Sequence, residues 1–164
     1  MKKSTPRLPP PFDPERKRYT THPFPPYQFI PGITEHPHKI LSFPPLKKGD
    51  GGDFLYGVDL YNFNYWWEAH EAWEVVWHTT EKTGDDGRFL QGLIQISAGM
   101  IKWWIGNRDG MTKLFREGTA KLASLPIKNH WGIDLGNHLK KIALFRKTLQ
   151  QQDYPFIEIS GQDF

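Results

Sequence analysis

Apolar positions from residue 52 onward recur mainly at the three- and four-residue spacing that is typical of amphipathic α-helices. Turn-forming runs rich in Gly, Asp and Pro separate these stretches. The predicted elements are a short helix that begins at Asp53 or Asp59 and ends at Leu60, helices over 65–80, 88–105, 109–125 and 134–150, and a short strand or extended tail over 154–159. Because the connections are short and strand-like alternation is lacking, the pattern predicts an all-α fold, a bundle of four to five helices with an extended Pro-rich N-terminal arm.

The predicted helix over 88–105 is apolar on nearly every side and carries small residues, including Gly92 and Gly99. This pattern predicts a central helix with close neighbours, the most buried helix of the bundle. Asn64 is a favourable N-cap for the predicted helix over 65–80. Gly106 with the following Asn ends the central helix.

Prolines concentrate near the N-terminus, where 12 of the 14 fall within the first 50 residues. Those residues carry 9 Lys and Arg against 4 Asp and Glu, a net charge of +5, whereas residues 51–164 carry 12 against 14, a net charge of −2. The sequence therefore divides into a basic Pro-rich N-terminal extension, 1–50, and a helical domain, 51–164. Aromatic and β-branched residues predict that 22–45 form an arm packed on the domain, whereas residues 1–20 make few contacts.

Charge and composition narrow the classes of partner. The helical domain is slightly acidic and the pI near 9.0 comes from the extension, so we expect no specific nucleic-acid recognition, only weak polyanion contact by the basic tail. We expect a cytoplasmic protein without membrane contact, because the chain lacks an apolar run of roughly 18 residues and a secretory signal. Seven Trp and 11 Phe predict either an apolar groove that the arm covers or a homodimer contact.

The candidate chemistry lies on the predicted helix over 65–80. A helical wheel places His70 and Glu74 within an aromatic face formed by Trp side chains. A carboxylate among indole rings requires a partner, so the hypothesis that we favour is a buried hydrogen-bond network without a cofactor. Its members are the side chains of this helix and the next one: Glu68, His70, Glu71, Glu74, Gln91 and Gln95, with Arg88 as a further partner.

Two alternatives use the same face. In the first, His70, Glu74 and His78 are spaced i, i+4, i+8 and bind a divalent metal, with further ligands from His138 or from the arm's His36 and His38. In the second, His70 and Glu74 perform acid–base chemistry on a small molecule between aromatic walls. The favoured hypothesis is a non-catalytic binding or structural module, and the alternatives predict a metal-binding protein or a pocket enzyme.

Three motifs in order resemble one family, the domain of unknown function 309. They are YWWEAHEAWEVVW over 65–77, FLQGLIQ over 89–95 and the Gly-Asn pair at 106–107, and the resemblance covers roughly residues 54–125. The positions that match the family pattern are Glu68, His70, Glu71, Glu74, Trp77, Gln91, Gln95, Gly106 and Asn107. The resemblance implies a small helical domain of unestablished activity. Lys102 stands where family members often carry a His, which weakens any metal site that would need that residue.

Overall fold

The computed structural model describes residues 15–34 and 52–160. These form five α-helices: α1 (Gly52–Asn62), α2 (Trp66–Trp77), α3 (Asp85–Ile105), α4 (Arg108–Ala123) and α5 (Leu135–Thr148). Helix α1 packs on α2, α2 on α3, and α3 on α4, while α5 contacts α4. The predicted all-α bundle is therefore confirmed. Within the described ranges, no helix combines the length and apolar character needed to cross a bilayer.

Helix α3 lies between α2 and α4, and its glycines allow the close approach to α4. A Cβ at Gly99 would stand 2.8 Å from the ring of Phe115, and one at Gly92 would stand 2.9 Å from the side chain of Leu122. Both distances are shorter than van der Waals contact. The small residues that predicted a central helix thus fix the spacing between α3 and α4.

The same spacing gives a test of this packing. Gly118 faces the backbone of α3, where an added Cβ would lie 2.9 Å from the carbonyl oxygen of Gly92, whereas at Gly136 the nearest atom is 3.5 Å away. We expect Gly118→Ala to lower the free energy of unfolding by about 1–3 kcal/mol, because backbone cannot yield as a side chain can. Gly136→Ala, the matched control at an exposed position of α5, should leave the free energy of unfolding unchanged or raise it by about 0.5 kcal/mol. Urea unfolding of both variants measures the difference, and equal effects would contradict the close-packing argument.

The sequence pattern predicts that α3 is the most buried helix. The most completely buried stretch is instead the second half of α1 and the turn after it. Every residue over 56–64 is buried. The reason is that both ends of the described chain cover α1. Tyr56 Oη donates to the Pro23 carbonyl (2.9 Å) on one side, and Tyr61 Oη donates to the Pro155 carbonyl (3.0 Å) on the other.

After α5, a 3-10 turn (Gln151–Asp153) leads into an extended tail, which forms no strand and runs along α1. The side chain of Asn62 binds the backbone of this tail. Asn62 Nδ2 donates to the Ile157 carbonyl, and Asn62 Oδ1 accepts from the Ile157 N–H, both at 2.9 Å. The side-chain amide thereby reproduces the pair of hydrogen bonds that a neighbouring strand would make.

The prediction that Asn64 caps α2 is wrong. Asn64 adopts a left-handed conformation (φ 71°) and ends α1, since the Tyr65 N–H donates to the Leu60 carbonyl at 2.8 Å. This is the Schellman arrangement, for which Asn is favoured after Gly, and α2 begins at Trp66. Asn is common both before and after helices, so composition alone did not separate the two positions. The same motif at Gly106 (φ 81°) ends α3 as predicted.

A short hairpin replaces part of the predicted loop before α5. Strands β1 (Asn129–His130) and β2 (Ile133–Asp134) pair antiparallel, and the two residues between them both have positive φ, as a type I′ turn requires. Trp131 at the turn packs edge-on against Phe54 and Phe89. The hairpin therefore closes the end of the bundle where α1 and α3 begin.

The described N-terminal segment, 15–34, includes the first part of the predicted arm and lies on the domain. The name arm is used below for residues 15–34. Phe24 stacks on Tyr65, and the Phe29 ring packs edge-on against Trp67. Contacts begin before residue 20, because the Tyr19 N–H and hydroxyl both bond to the domain, so the expectation of few contacts for 1–20 is wrong over the described residues 15–20. The predicted packing of 35–45 lies outside the described residues.

Candidate functional site

His70, Glu71 and Glu74 form a cluster on the outer face of α2. One ligand atom from each lies within 4.8 Å of the others, and His70 Nε2 is 3.3 Å from Glu74 Oε1. The His70 and Glu74 side chains are 22% and 40% exposed, and Glu71 is exposed. The cluster is therefore open to solvent on one side.

The predicted burial of His70 and Glu74 is wrong, and the geometry of α2 explains the error. The side of α2 that enters the core carries Trp66, Ala69 and Trp73, each of which is fully buried. Trp67 sits at the boundary, where its ring stacks on His70 with 5.6 Å between centroids. A wheel that treats every Trp as core shifts the centre of the buried face toward His70.

The buried carboxylate of α2 is Glu68, which is only 1% exposed. Its Oε1 accepts a 2.7 Å hydrogen bond from the Phe29 N–H of the arm. Its Oε2 is also buried and has no hydrogen-bond partner within residues 15–34 and 52–160. Burial raises the pKa of Glu68 to about 7, the Phe29 hydrogen bond partly offsets this, and the nearby Glu71 adds to it.

The glutamines of α3 do not join these groups. Gln95 turns toward α4, where its Nε2 donates to Glu117 (3.2 Å) and its Oε1 accepts from Lys121 Nζ (2.9 Å). Arg88 pairs with Asp85 of its own helix at 2.6 Å. Gln91 is half-buried on α3, and no contact between it and the α2 cluster is found in the described part of the chain. The predicted network that spans α2 and α3 is therefore not formed there.

The remaining predicted ligands fall in other places. His78 is exposed at the end of α2, and Glu71 takes its place in the cluster. His138 lies on α5 and lines a separate pocket. His36 and His38 of the predicted arm lie outside the described residues.

The principal contact between arm and domain, the buried side chain of Asp59, was not predicted from the sequence. Asp59 is fully buried on α1, and its oxygens accept from the Tyr19 N–H (2.8 Å), the Thr20 N–H (2.9 Å) and the Thr20 hydroxyl (2.7 Å). Arg18 Nε lies 3.5 Å from the same carboxylate. The signal in the sequence was an Asp within the otherwise apolar run VDLYNF.

The fold and this α2 cluster define a small all-α domain with a histidine and two carboxylates exposed on one helix. Residues 54–114, from α1 into α4, match the model of the family described as Domain of unknown function (DUF309). This match over part of the chain confirms the resemblance seen in the sequence. No curated protein matches the chain.

Proposed function

We propose that this protein is a binding module that holds a divalent transition metal at His70, Glu71 and Glu74. The observation that carries the proposal is the cluster itself: three ligand atoms from one turn of α2 lie within 4.8 Å of one another. An exposed cluster favours the metal alternative over the buried network, which was the preferred hypothesis from the sequence.

The donor set suits the metal. An imidazole nitrogen with carboxylate oxygens is a common ligand set for zinc and related metals, with ligand bonds of about 2.0–2.2 Å. Such bonds bring ligand atoms to roughly 3.5 Å from one another. The pair His70 Nε2 and Glu74 Oε1 is already at 3.3 Å, and the exposed Glu71 can close the remaining gap by rotation of its side chain.

The surroundings of His70 favour ligation through Nε2. Its Nε2 lies 3.3 Å from Glu74 Oε1 and so faces the carboxylate ligands, and in the tautomer that carries the proton on Nδ1 the Nε2 lone pair can bind a metal. The stacked Trp67 ring limits rotation of the imidazole. Three ligands on one helix leave further coordination positions open to water or to a bound molecule.

Zinc binding to the metal-depleted protein tests the proposal. We expect wild type to bind about one equivalent and His70→Ala to bind at least tenfold more weakly, since the only nitrogen ligand of the cluster is lost. His78→Ala is the matched control, because this exposed histidine follows the last residue of α2 and lies outside the cluster. Competition with a chromogenic chelator gives the affinities, and zinc should raise the melting temperature of wild type and His78→Ala only.

Either of two results would refute the metal site. One is equal zinc affinity for wild type and His70→Ala. The other is an equal loss in His78→Ala, which would indicate nonspecific binding by surface histidines.

A further inference from the structure

A second candidate site, independent of the α2 cluster, is a pocket between the start of α5 and the extended tail. Its volume is about 200 Å³. Because liquid water takes about 30 Å³ per molecule, the pocket has room for roughly six water-sized groups. A solute of that size is a small metabolite and not a peptide or a nucleotide.

The buried group in this pocket is His138, which is 3% exposed. Neither ring nitrogen has a hydrogen-bond partner of ordinary geometry in the described ranges. Buried polar atoms in folded proteins are nearly always hydrogen-bonded, and the Phe156 carbonyl beside the ring can serve one nitrogen only, so the other calls for a partner beyond the described residues. Burial lowers the pKa of His138 to about 4, the charge of Lys141 acts in the same direction, and the Phe156 carbonyl partly offsets them, so the imidazole is neutral at pH 7 and offers one N–H donor and one acceptor.

Charges of both signs surround the imidazole. Lys141 Nζ donates to the Phe156 carbonyl (3.3 Å) and lies 3.2 Å from Glu158 Oε1. Asp134 also lines the pocket, and its Oδ1 caps α5 by accepting from the Asn137 N–H. Ile133 and Phe156 provide the apolar part of the lining.

A ligand that matches this lining carries an anion and a cation a few bonds apart. Its carboxylate would accept from Lys141, and its ammonium group would donate to Asp134 and to the acceptor nitrogen of His138. A simple anion would gain from Lys141 but would be repelled by the two carboxylates of the rim, and a simple cation would gain from those carboxylates but would be repelled by Lys141. We propose that this pocket binds a small zwitterion of the α-amino-acid class.

The test uses the full chain with ¹⁵N-labelled histidine and three probes: L-alanine, acetate and ethylammonium. We expect L-alanine to shift the His138 ring signals saturably and to bind at least about tenfold more tightly than either half-molecule. His130, which is buried and bonded to Asp86 at 2.8 Å, is the internal control and should not shift. Lys141→Met should weaken L-alanine binding at least about tenfold while the His130 signals show that the fold is intact.

Three results would overturn the proposal. Acetate or ethylammonium as strong as L-alanine would mean that the pocket recognises one charge only. The absence of a saturable His138 shift up to about 100 mM L-alanine would mean that the pocket holds water alone. Unchanged L-alanine affinity in Lys141→Met would remove the assigned carboxylate contact.

Discussion

Asp59→Ala is expected to detach the arm from α1 and to lower the free energy of unfolding by about 3–5 kcal/mol. The carboxylate is fully buried and accepts three hydrogen bonds from Tyr19 and Thr20. Its removal leaves two backbone N–H groups without acceptors, at a cost of about 1–3 kcal/mol for each that stays buried. Detachment relieves that cost but exposes the apolar surface that the arm covers.

Two measurements separate these outcomes. Urea unfolding gives the stability change, and the rate of tryptic cleavage within Arg16-Lys17-Arg18 reports whether the arm is released. Asp109→Ala, at an exposed position in the first turn of α4, is the matched control and should change stability by less than about 1 kcal/mol. A loss below about 1 kcal/mol in Asp59→Ala with unchanged tryptic cleavage would contradict the role of this contact.

Glu68→Gln is expected to change how stability depends on pH. The pKa of Glu68 rises from 4.5 to about 7 on folding, so the folded state binds the proton more tightly. The stabilisation that proton binding by Glu68 contributes to the folded state is therefore full below pH 4.5 and is lost as pH rises to about 7. At about 1.36 kcal/mol per pKa unit, the loss is roughly 3 kcal/mol. Gln keeps an oxygen for the Phe29 N–H but carries no charge, so the variant lacks this loss.

The wild-type curve alone would hide this effect, because His138 acts in the opposite direction. Its pKa falls from 6.5 to about 4 on folding, so the unfolded chain binds more protons between those values and stability is lost as pH falls. Between about pH 4.5 and 6.5 the two contributions nearly cancel. In Glu68→Gln, the acid-side loss from His138 should become visible.

The decisive quantity is the difference in unfolding free energy between wild type and Glu68→Gln, measured by urea at several pH values. We expect the difference to shift by about 3 kcal/mol in favour of the variant between pH 4 and pH 8. Glu117→Gln, at a half-buried carboxylate on α4, is the control for the replacement of a carboxylate by an amide. A difference that stays constant with pH would show that Glu68 is not held in the buried state described.

The helices could be predicted from the sequence because each has a local signature. Apolar spacing and the Gly106 C-cap located α3, and the small residues of α3 predicted its close neighbours. The environment of α1 could not be predicted in this way. Its burial depends on the arm and on the tail after α5, which are distant in sequence, so a short run such as VDLYNF does not show which segments cover it.

The candidate site was predicted in its location but not in its burial. Spacing brought His70 and Glu74 to one face of α2, and the structure agrees. Which carboxylate enters the interior depends on the tilt of α2 against α1 and α3, and that tilt selects Glu68. The partner of Glu68 is the backbone N–H of Phe29, and a backbone group leaves no trace in the identity of a residue.

The position of α1 between the two ends of the described chain has a consequence for folding kinetics. Tyr61 and Asn62 find their partners 94 and 95 positions away, and the Ile159 N–H donates to the Tyr19 hydroxyl across 140 positions. Such contacts close long loops, and proteins that depend on them fold more slowly than helical bundles with local contacts. During synthesis, α1 through α4 can form early, whereas α1 obtains its last hydrogen bonds only when the tail has emerged from the ribosome.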